Sequence, residues 1–71
     1  QHFNAAKLLQ SLTKRERQIL TFLSEGATSA DIGINLGITR KTVEVHRANI
    51  RAKFGSSRIA DAVRVFFYAQ K

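Results

Sequence analysis

Lys41, Glu44, Val45 and Ala48 fall on one side of a helix when residues 39–55, TRKTVEVHRANIRAKFG, are read at the helical period. That side presents a cation, a carboxylate and two small apolar groups, with Ala52 beside them and Thr42 and Asn49 at the flanks. The opposite side carries Val43, His46, Ile50 and Phe54, with Arg47 at its edge. Val45 is the odd residue, because a β-branched apolar side chain points away from the apolar stripe. A face made of donors, an acceptor and small apolar groups suits close approach to a grooved polar surface. The DNA major groove is one such surface, since it displays donors, acceptors and thymine methyls. The competing reading is a solvated face with one stray valine, because single exposed apolar residues are common.

Other chemistries find little support. The chain has no Cys, no Gly-rich phosphate loop and no set of His and carboxylates converging at one place, so an enzyme is not expected. His46, beside the apolar stripe, reads as a core-edge histidine, and with His2 as the only other histidine neither a metal site nor any other cofactor is expected. Twelve Lys and Arg stand against five Asp and Glu, a net charge of +7 and a pI near 11.0. That balance favours a polyanionic partner, nucleic acid before an anionic membrane. Basic and large apolar residues do not segregate onto one exposed helix, so a membrane binder is not expected. A pure protein-interaction module stays open at this point.

Seventy-one residues make one small domain. The lack of Cys fits a reducing, cytoplasmic setting, and a start at Gln1 without Met fits a segment of a longer protein. Residues 1–11 read as linker or a short leading helix capped by Asn4. Residues 12–26 read as a helix with Thr13 as N-cap, Glu16 completing a capping box, an inner face of Ile19, Leu20, Phe22 and Leu23, and Gly26 as the stop. Lys14, Arg15 and Arg17 crowd its first turn, where the helix dipole disfavours cations, as though to meet an anion. Residues 28–37 form a shorter helix capped by Thr28 or Ser29, with Asp31 in the first turn and Ile32 and Leu36 inward. Gly33 inside it points to a second backbone passing close by, because Gly otherwise costs about 1 kcal/mol there. Gly37 ends that helix, Ile38 plugs the core, and Thr39 caps the long helix. Gly55 closes the long helix, and Ser56 or Ser57 caps a last one, in which Ile59, Ala62, Val63, Phe66 and Phe67 face inward and Val65 and Tyr68 outward.

A short helix, a tight turn with Gly37 and Ile38, and a longer two-faced helix make a helix-turn-helix. LTKRERQIL, then EGATSADIGINLGIT, then KTVEVHRANIRAKFG resembles the LuxR/FixJ/NarL-type DNA-binding domain. The family pattern runs L-T-x-R-E-x-x-[VI]-L, a Gly ending helix one, [SN]-x-x-[EDQ]-I-[AG]-x-x-L, I-[ST]-x-x-T-V-x-x-H and I-x-x-K-[LFM]; matches span residues 12–55 in order. TVEVHRAN is similar to the FixJ-like response regulators.

The resemblance implies an all-α fold: a compact four-helix helix-turn-helix domain over residues 12–71, with helix three as recognition helix and the helix-turn-helix core at about 29–54. It implies sequence-specific reading of double-stranded DNA in the major groove, by the output domain of a signal-responsive bacterial transcription regulator located in the cytoplasm at the nucleoid. A sigma-factor promoter-reading domain, which shares the LTxRE and helix-turn-helix parts, is the alternative. The implied partners are double-stranded DNA, a second copy on DNA, RNA polymerase and an amino-terminal regulatory domain. Base reading is assigned to Lys41, Glu44, Val45 and Ala48, and phosphate contact to Ser29, Thr39, Arg40, Thr42, Arg47 and Arg51.

Two departures stand out. Where relatives often carry Asn-Lys at the start of helix two, this chain has Ser29 and Ala30, and where many place Lys on the recognition face it has Glu44. An acid facing DNA is costly unless it accepts from a base amino group, so Glu44 is either a specificity residue or a bystander bridged by water. Asp61, Arg64, Val65 and Tyr68 are expected to form the dimer contact; the alternative is that Val65 and Tyr68 pack on residues 1–11 of the same chain.

Overall fold

The computed structural model of the chain describes residues 5–69. Five helices follow one another: α1 (Ala5–Gln10), α2 (Lys14–Ser24), α3 (Ser29–Leu36), α4 (Arg40–Phe54) and α5 (Ile59–Ala69). Helices α2 to α5 are the four expected from residue 12 onward, so the expected third helix of that set corresponds to α4. The cap expected at Asn4 lies outside the described residues.

The helix ends are set by local chemistry. Thr13 Oγ1 accepts the Glu16 N–H at 3.1 Å, and Glu16 Oε1 accepts the Thr13 N–H at 2.8 Å. Thr28, not Ser29, caps α3, in a second reciprocal box with Asp31. Thr39 caps α4 by accepting the Thr42 N–H. Each of these bonds satisfies a backbone donor that the helix itself leaves orphaned. Gly37 and Gly55 close α3 and α4 in the left-handed region, at φ +69° and +64°, where a side chain would strain against the following carbonyl.

Helix α4 is central. It packs against α2, α3 and α5, and α5 also lies on α2. The buried core takes Leu12, Ile19 and Leu20, Ile32, then Val43, Ile50 and Phe54, and finally Ala62 and Phe66. Leu8 and Leu9 of α1, Leu36 and the turn residue Ile38 pack against its edge. The crossing of α3 and α4 depends on Gly33: a Cβ there would sit 2.7 Å from the Ile38 backbone carbonyl oxygen. Only a bare Cα lets the turn fold back this tightly.

Helix α5 departs from the sequence reading. Phe67, expected inward, is 48% exposed and meets Tyr68 edge-on, whereas Val65, expected outward, packs against the core. The helix is apolar over most of its circumference, so periodicity does not say which arc is covered. Packing on α2 and α4 centres the buried arc on Ala62 and Phe66, which draws in Val65 and leaves Phe67 outside.

A polar clamp ties the end of α4 to the start of α2. Lys53 Nζ, at the end of α4, donates to Glu16 Oε1 at 2.8 Å and to the Ser11 carbonyl at 2.9 Å. Burial pushes the Glu16 carboxyl up, but the bonds from Lys53 and Thr13 together outweigh it and hold the group below its ordinary value of 4.5. A depressed carboxyl contributes stability that is complete above the unfolded value and is lost as pH falls through the folded one. Lys53→Met leaves a buried carboxylate with only the Thr13 cap. The variant is expected to lose about 1–3 kcal/mol at neutral pH, towards the lower end because the lysine is partly exposed. Its stability should also fall less steeply than that of the wild type in melts taken from neutral pH down to about 3. Identical acid profiles would show that the pair contributes nothing.

Candidate nucleic-acid interface

With Val43, Ile50 and Phe54 in the core, the other side of α4 is turned to solvent. Lys41, Thr42, Glu44, Val45, Ala48 and Asn49 are all exposed there, Val45 at 53%. All four residues assigned to base reading therefore share one open face. Ala48, one turn beyond Glu44 and Val45, adds no bulk, so a groove floor can approach closely along this line.

Thr39 and Arg40, also exposed, lie at the amino end of this face. The Thr39 and Thr42 hydroxyls are hydrogen-bonded to each other at 2.9 Å while Thr39 caps the helix. The first turn of α4 holds Arg40 and Lys41 and no acid. Cations at a helix amino terminus are unfavourable, and an anion placed there would reverse that. Arg51 is half-buried one turn beyond Arg47.

Two assigned residues are not free on this surface. Ser29 is 6% exposed, and its hydroxyl accepts a hydrogen bond from Arg47 Nη1 at 2.9 Å. Arg47 lies folded back towards the start of α3, with Nε 4.0 Å from Glu44 Oε1 and buried without a hydrogen-bond partner. The nearby Ser29 hydroxyl, the largest influence, outweighs partial burial and, with the charges of Arg47, Arg40 and Arg51, holds the Glu44 carboxyl below its ordinary value. Glu44 is thus an ionised, acceptor-only group at neutral pH.

Elsewhere the cations divide into two groups. Lys53 is committed to Glu16, and Arg17 donates to the Leu9 carbonyl at 2.6 Å, tying α1 to α2. Arg15 donates to Gln18 within α2. The cations left facing outward on α4 are Arg40 and Lys41, with Arg51 partly so. Nothing in the residue types alone separates these groups, because both consist of basic side chains on apolar-rich helices. No group of three or more His, Cys, Asp or Glu could hold a metal among the described residues, and no helix there is long and apolar enough to cross a membrane.

Asp61, Arg64 and Tyr68 lie on the outer side of α5. Arg64 and Asp61 form an ion pair at 3.5 Å, and Tyr68 is 60% exposed. Val65 is set apart from them by its packing against the core.

The family described as bacterial regulatory proteins, luxR family, matches residues 10–66. Among curated relatives, the transcriptional regulatory protein UhpA of Escherichia coli is 45% identical over 56 residues, covering 79% of this chain and 29% of the relative. The transcriptional regulatory protein FixJ of Rhizobium meliloti is 42% identical over 57 residues, 80% of this chain and 28% of the relative. The response regulator protein TodT of Pseudomonas putida is 45% identical over 56 residues, 79% and 25%. The chain thus spans under a third of the length of these relatives. No solved structure matches significantly.

Proposed function

This chain belongs to the luxR family of bacterial regulatory proteins, as the DNA-binding helix-turn-helix domain of a transcription regulator and not an enzyme, and from that premise we propose how it meets DNA. The family match and the response-regulator relatives favour this over the sigma-factor alternative. Helix α4 enters the major groove with Lys41, Glu44, Val45 and Ala48 towards the base edges. Thr39, Arg40, Thr42 and Arg51 position it on the phosphates. The observation that carries the reading is Val45, an exposed β-branched apolar residue at the centre of the α4 face opposite the core, among Lys41, Glu44 and Ala48. An apolar group there has a use against a thymine methyl and none in water.

Val45→Ala is expected to weaken binding by about 1–3 kcal/mol at sites with thymine at the contacted step and to spare sites without it. Arg40→Ala should weaken all sequences alike, because phosphates carry no sequence information. Titration of both variants against a preferred duplex and its thymine-substituted version separates the two effects. An unchanged preference in Val45→Ala would show that another face reads the bases.

Pairing of two copies on DNA belongs to the same proposal. Helix-turn-helix proteins bind half-sites about one helical turn apart through a two-fold contact, in which the same patch is used twice. The outer side of α5 offers Tyr68 and Phe67 as an apolar centre beside the Asp61–Arg64 ion pair. Tyr68→Glu is expected to keep half-site binding and the melt while removing cooperative binding to a two-half-site duplex. Loss of half-site binding and stability together would place Tyr68 in the domain's own packing. In the whole regulator, this domain serves as the output domain below a signal-receiving amino-terminal domain and acts on RNA polymerase at promoters.

A further inference from the structure

The Ser29 hydroxyl has one hydrogen, and Arg47 Nη1 already donates to its oxygen at 2.9 Å. Arg47 Nε lies 4.0 Å from Glu44 Oε1. The three side chains thus form one group with Arg47 at its centre, running from the buried start of α3 to the outward face of α4. A carboxylate has about four acceptor sites. The Arg47 edge faces one of them, while the side chain stays 48% exposed on the outward face. Glu44 is thus held on its inner side and open on its outer side, one residue from Val45.

We propose that Ser29 and Arg47 are positioning residues for Glu44, and that Glu44, held in this way, selects a cytosine in the major groove by accepting from its N4 amino group. The inference rests on the DNA reading above. It turns Ser29 and Arg47 from phosphate contacts into supports for a base contact. The charge pattern agrees: Arg40, Arg47 and Arg51 surround Glu44 on α4, so the acid sits within a cationic stripe that shields it from the phosphates. A carboxylate with no donor of its own rejects guanine, whose groove edge at this position offers the acceptors O6 and N7. The same preformed hold reduces the side-chain freedom lost on binding.

The test begins with selection of preferred duplexes from a randomised pool by the wild-type chain, followed by titration of single base-pair inversions. Inverting one C·G pair to G·C in the half-site is expected to weaken wild-type binding about tenfold. Glu44→Gln, whose amide both donates and accepts, should reduce that discrimination to near unity. Ser29→Ala should flatten discrimination at the same pair, with a cooperative melt retained and its affinity for non-specific DNA, measured well below that melt, unchanged, and Ser29→Thr, which keeps the hydroxyl, should restore it. If Ser29→Ala weakens all duplexes alike, or if Arg47→Gln lowers the salt slope by about 1 without altering C·G preference, these residues are phosphate contacts and the inference fails. Wild-type binding with a sequence preference that Glu44→Gln leaves intact overturns it as well. Absence of any DNA binding by the wild type would instead overturn the proposed function itself.

Discussion

Raising the salt concentration from 50 to 200 mM is expected to lower the DNA affinity of this domain by about two-hundredfold. Each phosphate neutralised by Lys or Arg releases condensed counterions, so log K falls with log salt at a slope of about −0.9 per phosphate. The net charge of +7 alone would overstate the number of contacts. Lys53 is spent on Glu16 and Ser11, Arg17 on Leu9, and Arg47 on Ser29. The outward-facing Arg40 and Lys41, with Arg51 and the basic first turn of α2, leave about four phosphates per domain and a slope near −4. Fluorescence titration of a labelled duplex across a salt series checks this. A flat response would remove the electrostatic basis of binding, and Lys53→Met should leave the slope unchanged, because its charge is already used within the fold.

The second large effect concerns the inner face of the same helix. Ile50→Ala is expected to destabilise the domain by about 2–5 kcal/mol, through lost burial and the cavity left behind. Ile50 is fully buried at the middle of α4, in the helix that touches α2, α3 and α5. No single neighbour can close the gap without disturbing the other contacts. A domain of this size holds only about 3–10 kcal/mol in total, so a large share of molecules would unfold at room temperature and DNA binding would fall with them. Thermal and urea melts followed by circular dichroism provide the measurement. A cooperative melt near the wild-type midpoint would refute the orientation of α4. Val45→Ala serves as the internal control: it lies on the opposite, exposed face and should leave the melt within about 0.5 kcal/mol while altering binding. Helix α4 thus separates stability on one side from recognition on the other, and the two variants should fail in different assays.

What the sequence determined by itself is whatever acts over one turn of chain. Thr13 with Glu16, Thr28 with Asp31 and Thr39 before α4 set the helix starts, because a cap bonds to an N–H only two or three residues away. Gly37 and Gly55 set the ends, because positive φ costs a side chain whatever surrounds it. Gly33 was legible as a close approach, since its helix cost needs a reason, and the Ile38 carbonyl supplies one. The two faces of α4 could be read because apolar and polar residues alternate there at the helical period.

Tertiary structure decided the rest. On α5 the apolar residues run nearly all round, so only packing on α2 and α4 could place Val65 inside and Phe67 outside. The roles of the long charged side chains were hidden for a related reason. Arg47 reaches Ser29 across 18 residues and Lys53 reaches Glu16 across 37. A flexible cation takes whichever acceptor the packed helices bring within about 3 Å, and that distance is set by how the helices cross, which no local spacing encodes.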